Sequence, residues 1–132
     1  MASDHQEENR NMSIHSNVLL AALISVESAG NDMAVGDGGL AIGALQIHQC
    51  VVADVNRRYG THYTHSGMTN RAAAVDVFHK YLSMYATPQR LRRAVTDEDR
   101  ARIWNGGPNG YRKTATDGYW HKVRNAIRNL TR

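Results

Sequence analysis

The chain has 132 residues, of which 42% are hydrophobic, and its formal net charge is +4. This length fits one domain with a buried core, and the single cysteine, Cys50, excludes an internal disulfide. The sequence contains neither an apolar run long enough to span a membrane nor a charged-then-apolar leader. We therefore expect no membrane contact and no signal peptide in this chain.

Hydrophobic periodicity predicts a mostly α-helical (α+β) domain with one small β-hairpin or loop element after the first long helix. The polar segment 1–15 is predicted to be flexible, and the domain is expected to occupy residues 16–132. Capping and stop signals predict five helices. In chain order these lie in residues 16–30, 49–60, 69–88, 96–108 and 117–130.

Charge is divided unevenly along the chain. Up to Pro88 there are five Lys and Arg against eight Asp and Glu, and after Pro88 there are eleven against four. A basic C-terminal part favours an anionic partner, such as nucleic acid, a lipid surface or the bacterial cell wall. A solvated basic face with no partner explains the same composition equally well.

A glycine-rich stretch follows the first predicted helix, with Gly36, Gly38, Gly39 and Gly43 within eight positions. A phosphate-binding loop needs a preceding strand and a lysine, and this stretch has neither. A simple turn needs only one or two glycines. The distribution of four glycines over eight positions therefore favours a loop whose backbone approaches a long ligand closely.

Glu27 stands at the end of the apolar first helix, next to Leu23, Ile24 and Val26. Partial desolvation and the negative end of the helix dipole both raise the pKa of a carboxyl group at this position. A raised pKa is what a general acid at neutral pH requires. On periodicity alone, a solvated residue at the helix end is the alternative interpretation.

Four motifs occur in a fixed order: ISVESAGND, GALQIHQ, ARIWNGGPNGY and TATDGYWHKV. Together they resemble the lysozyme-like superfamily, in particular goose-type lysozymes and soluble lytic transglycosylases, and the resemblance runs from about Ser16 to Ile127. It implies a lysozyme-like catalytic domain with a substrate cleft. The absence of cysteine pairs and the RIWNGG motif resemble bacteriophage or bacterial members of the family more than vertebrate ones.

The resemblance places Glu27 on the catalytic acid of that family and Gln46 on the glutamine of its cleft floor. Trp104 stands where the family carries tyrosine, which removes one hydroxyl contact. The residues predicted to bind substrate are Ser28, Gln46, His48, Trp104, Asn105, Gly106, Tyr111 and Tyr119.

Asp37 lies nine residues before Gln46, a spacing that resembles goose-type lysozymes. An inverting glycosidase needs a second carboxylate that activates water, at roughly 6.5–9.5 Å from the acid. We therefore predict that Asp37 is the second catalytic group. Its alternative role is that of a turn residue within GDGG.

These features predict a muramidase that hydrolyses the β-1,4 bond between N-acetylmuramic acid and N-acetylglucosamine in peptidoglycan. The enzymatic alternative is a lytic transglycosylase, which gives 1,6-anhydromuramic acid products. A basic helical nucleic-acid-binding module and a wall-binding relative without activity are the remaining alternatives. The expected partner is peptidoglycan, with no nucleic acid, metal or cofactor. We expect a monomer that acts at the bacterial cell wall, as a phage endolysin or virion-associated enzyme does.

Overall fold

The computed structural model describes residues 17–132, and the predicted flexible segment 1–15 lies outside the described residues. The prediction of a mostly helical fold with a small antiparallel hairpin after the first helix is confirmed. Helix α1 covers residues 17–28. It is followed by strands β1 (Val35–Gly36) and β2 (Ala41–Ile42) and by helices α2 (Gln49–Tyr59), α3 (Arg71–Tyr85), α4 (Pro88–Leu91), α5 (Asp97–Gly106) and α6 (Asp117–Leu130). Short 3-10 turns cover Asp37–Gly39, Ser66–Thr69, Gly110–Arg112 and Thr114–Thr116.

Local capping chemistry explains where two of the helices begin or end. Gly60 closes α2 with φ +66°, a left-handed conformation that favours glycine. Thr96 begins α5 with a capping box, in which its hydroxyl accepts from the Asp99 backbone N–H and the Asp99 carboxylate accepts from the Thr96 N–H. The sequence pattern was sufficient to predict both of these boundaries.

The start and end of α3 differ from the prediction. The helix is capped by Asn70, whose side chain accepts from the Ala73 N–H at 2.9 Å, and not by Thr69. Thr69 instead ends the preceding 3-10 turn. The helix stops at Tyr85, and Pro88 opens the separate short helix α4, where its fixed φ suits the first turn.

The hydrophobic core lies where α1, α2, α3, α5 and α6 meet. Each helix contributes at least one side chain that is shielded from solvent, and together these side chains remove a continuous apolar surface from water. The largest fully buried apolar side chains are Leu23, Leu45, Ile47, Met68, Ile103, Val52, Val55, Val77 and Val123.

The hairpin is held against the rest of the domain at Gly43. Val35 pairs with Ile42 and Gly36 with Ala41, and the Gly43 N–H donates to the Ala34 carbonyl at 2.8 Å. Gly43 has φ +86°, and a Cβ atom there would lie 2.0 Å from the backbone oxygen of Met68. Only glycine therefore permits this contact between the hairpin and the Ser66–Thr69 turn.

We predict that Gly43→Ala lowers the free energy of unfolding by about 2 kcal/mol or more, because it adds backbone strain to a steric clash. Gly60→Ala is the matched control, since Gly60 also has positive φ but no atom within 4 Å of its would-be Cβ. That variant should lose only about 1 kcal/mol. Chemical denaturation measures both values, and equal losses would contradict the close-contact explanation.

Candidate ligand-binding cleft

A cleft of about 510 Å³ lies between the end of α1, the hairpin, the first turn of α2 and the end of α5. Its wall combines carboxyl, imidazole and amide groups with aromatic and aliphatic side chains, a mixture typical of small-molecule and saccharide sites. The lining residues are Glu27, Asp37, Gln46, Ile47, His48, Cys50, Val51, Tyr81, Trp104, Asn105 and Gly107.

The Glu27 carboxyl group is largely desolvated at the edge of this cleft. Burial is the main reason that the pKa of Glu27 rises from 4.5 to about 7, and the nearby Asp37 carboxylate raises it further. A hydrogen bond from the Tyr119 hydroxyl to Glu27 Oε2, at 3.1 Å, opposes this rise, as does the charge of His48. Near neutral pH the group therefore exists in both protonation states.

Tyr119 reaches Glu27 from helix α6, which is 92 residues away in sequence. Burial and the neighbouring carboxylate raise the pKa of Tyr119 well above its usual range, so its hydroxyl remains a hydrogen-bond donor. Tyr119 thus orients the Glu27 side chain.

The side chains of Asp37 and His48 contact each other at the cleft opening. The Asp37 Oδ2 and His48 Nε2 atoms are 2.9 Å apart, and both side chains are substantially exposed. Asp37 has φ +51°, an unfavourable conformation for a residue other than glycine. The pair joins the hairpin to the start of α2, because His48 is the residue that precedes the first turn of that helix.

Gln46 fixes the floor of the cleft. Its side-chain amide donates to the carbonyl oxygens of Gly43 at 3.0 Å and Ala34 at 3.3 Å. A Cβ atom on Gly36 would lie 2.1 Å from Gln46 Oε1, so glycine at position 36 gives this side chain its room. These contacts explain two of the clustered glycines by close approach within the protein.

The structure brings six of the predicted site residues to the cleft wall, namely Glu27, Asp37, Gln46, His48, Trp104 and Asn105, and Tyr119 joins them through Glu27. Three others lie elsewhere. The Ser28 hydroxyl donates to the Ala44 carbonyl at 2.8 Å, Gly106 packs against the Thr116 side chain, and Tyr111 lies among arginine side chains.

Five residues of the cleft wall were not predicted from the sequence: Ile47, Cys50, Val51, Tyr81 and Gly107. Ile47 lies between Gln46 and His48, and Cys50 and Val51 come two and three positions after His48, so their proximity in sequence was a usable signal. Tyr81 offered none, because it comes from the middle of α3 and packs edge-on against Trp104 at 5.7 Å between ring centroids.

No helix within residues 17–132 is both long and apolar enough to cross a membrane. The same part of the chain contains no group of three or more His, Cys, Asp or Glu side chains placed to hold a metal ion.

Comparison with known proteins gave a likeness to solved structures. No protein-family model matches the chain, and no curated protein matches it. The fold is similar to a solved structure described as the crystal structure of Aeromonas hydrophila PliI in complex with Meretrix lusoria lysozyme. The TM-score is 0.69 and the identity is 25%, over 82% of this chain and 87% of that chain.

This comparison corrects the functional expectation. It concerns a complex of the lysozyme inhibitor PliI with a lysozyme, and it assigns no catalysis to this chain. The likeness to the inhibitor contradicts the predicted muramidase, in which Glu27 and Asp37 were the acid and the base. It also contradicts the lytic transglycosylase alternative. Both enzyme assignments are withdrawn. Membership of the lysozyme-like superfamily is likewise not shown. The physical reason is that motif order reports a backbone arrangement, which proteins of different activity can share.

We predict that Glu27→Gln stabilises the fold, and more so at high pH. The folded-state pKa of about 7 exceeds the unfolded value of 4.5, so ionisation costs stability as pH rises through this interval. The variant should gain up to about 3 kcal/mol at pH 8 and less than about 1 kcal/mol at pH 5.

Thermal and chemical denaturation at the two pH values measure this difference. Glu98→Gln is the matched control, because it removes a partly exposed carboxylate that lies outside the cleft and pairs with Arg102. A gain of the same size at pH 5 and pH 8 would contradict desolvation of Glu27.

Proposed function

We propose that this chain binds the glycan of the bacterial cell wall in the cleft at the end of α1. The observation that carries the proposal is the largely buried Glu27 carboxyl, with a pKa of about 7, inside a concave site of about 510 Å³. In its neutral form this group both donates and accepts hydrogen bonds, which suits the hydroxyl and ring oxygens of a sugar.

The other groups around the cleft support the same ligand class. The Asn105 amide offers donors and acceptors, while Trp104 and Tyr81 supply aromatic surface. Acetylated amino sugars have both polar edges and apolar faces, so they complement such a wall. We infer that the protein acts as a monomer, outside the cytoplasm, where this glycan is found.

A second candidate function is the binding of a lysozyme. It is favoured by the likeness to the PliI–lysozyme complex and by three exposed apolar side chains around the hairpin. Met33, Val35 and Leu40 are 69%, 63% and 62% exposed, respectively. Exposed apolar groups clustered in this way are typical of protein-binding surfaces.

We predict that affinity for a neutral amino-sugar oligomer falls about tenfold between pH 6 and pH 8. If the ligand requires neutral Glu27, its apparent affinity follows the protonated fraction of a group whose pKa is about 7. Glu27→Gln should remove this pH dependence, because glutamine remains a donor at both pH values. Calorimetry with chitin oligosaccharides measures both proteins.

Glu98→Gln should retain the wild-type pH profile. A steep profile that persists in Glu27→Gln would assign the titration to a different group.

Cys50 provides an independent measure of occupancy, because it is the only cysteine of the chain, is exposed and lines the cleft. We predict that saturating chitin oligosaccharide slows maleimide labelling of Cys50 at least about fivefold by steric protection. Labelling of Ser83→Cys in a Cys50→Ser background is the control, since Ser83 is exposed on α3 and does not line this cleft. Equal protection at both positions would contradict binding in the cleft.

The second candidate has its own test. If the hairpin surface binds lysozyme, the protein should slow the clearing of cell walls by Meretrix lusoria lysozyme, and Val35→Ser with Leu40→Ser should relieve that inhibition. Unchanged or faster clearing would contradict this candidate.

A further inference from the structure

Tyr111 lies at the centre of a group of arginine side chains outside the cleft. The guanidinium carbons of Arg90, Arg93 and Arg112 lie 5.8, 6.0 and 5.8 Å from the centroid of its ring. Arg92, exposed at the end of α4, flanks them. We call these five residues the Tyr111 surface. The ring faces attract the cations, which offsets part of the repulsion between them.

Most of the positive charge on this surface has no carboxylate beside it. Arg93 binds the Asp99 carboxylate, while Arg90 donates to main-chain oxygens and to the Asn109 side chain. Within residues 17–132, the side chains of Arg92 and Arg112 have no hydrogen-bond or ion-pair partner. Arg92 and Arg112 are therefore two exposed cations without a carboxylate partner in this part of the chain, beside the partly exposed Arg90 and the Asp99-paired Arg93, and such a surface attracts anions.

A short segment of chain links the Tyr111 surface to the cleft wall. Arg90 donates to the Pro108 carbonyl and, at 2.8 Å, to Asn109 Oδ1. These two residues directly follow Gly107, which lines the cleft. A polymer whose sugars occupy the cleft would therefore carry its substituents towards these arginines.

We propose that the Tyr111 surface binds the carboxylate groups of acidic peptide substituents on a glycan held in the cleft. This inference rests on the proposed function and adds the ligand's charge to it. Guanidinium groups match carboxylates in shape and charge and form paired hydrogen bonds with them. Arg92 and Arg112 are the residues available for such contacts, because the other two arginines are already engaged.

The test compares two probes with the same amino-sugar backbone. One is a soluble peptidoglycan fragment that retains its acidic peptides and is stripped of phosphate polymers, and the other is a neutral chitin oligosaccharide. The double variant Arg92→Gln, Arg112→Gln should bind the acidic fragment about fivefold more weakly at low salt, and added salt should shrink the difference. Its affinity for the chitin oligosaccharide should be unchanged.

The control is Arg58→Gln with Arg128→Gln, which removes two exposed charges from α2 and α6 and should leave both affinities close to wild type. The proposal is overturned if the Tyr111-surface variant loses affinity for both probes equally, or for neither. Two further probes are cell walls that retain their phosphate polymers and duplex DNA. The proposal is also overturned if the Tyr111 surface binds only the phosphate-containing walls, or if it binds duplex DNA more tightly than the acidic fragment.

The two proposals fail differently. If the acidic fragment binds through these arginines and chitin does not bind, the cleft proposal fails, and only the carboxylate contacts of the Tyr111 surface stand, without a glycan held in the cleft. If chitin binds and the arginine variant is unchanged on both probes, the reverse holds.

Discussion

The close approach of Gly43 to the Met68 carbonyl is the constraint on which the site depends. It seats the hairpin on the Ser66–Thr69 turn, with no room for a side chain between them. The hairpin then carries Asp37 and Gln46 to the end of α1, opposite Glu27. A shift of even one methyl group at this contact would move the cleft floor, because packed interiors do not absorb added volume without rearrangement.

The fold holds two carboxyl groups close together in the cleft, where burial and the charge of Asp37 disfavour the ionised form of Glu27. Burial raises the pKa of Glu27 to about 7, and the Tyr119 hydroxyl from α6 limits that rise. Asp37 adds a second carboxylate in a backbone conformation that costs energy for a non-glycine residue, and His48 pairs with it. Strain and desolvation concentrated in one concave site are features of a binding surface rather than of a stabilising core.

The cleft and the Tyr111 surface differ in shape and in charge. The cleft combines a carboxyl group whose pKa is about 7 with amide and aromatic groups, whereas the Tyr111 surface is strongly basic and contacts Pro108 and Asn109, which follow Gly107 of the cleft wall. A ligand that satisfies both has sugars and acidic groups in one polymer.

The sequence by itself determined the features that depend on neighbouring residues. The Thr96–Asp99 capping box, the left-handed Gly60 and the apolar helix ending at Glu27 were all readable, because caps and periodicity act within one or two turns. Only the tertiary structure decided which side chains meet. It placed Tyr81 and Cys50 in the cleft, turned the Ser28 hydroxyl towards the Ala44 carbonyl and set Tyr111 among arginines. The motif order suggested an enzyme, yet motifs specify backbone geometry, and function depends on contacts between residues far apart in the chain.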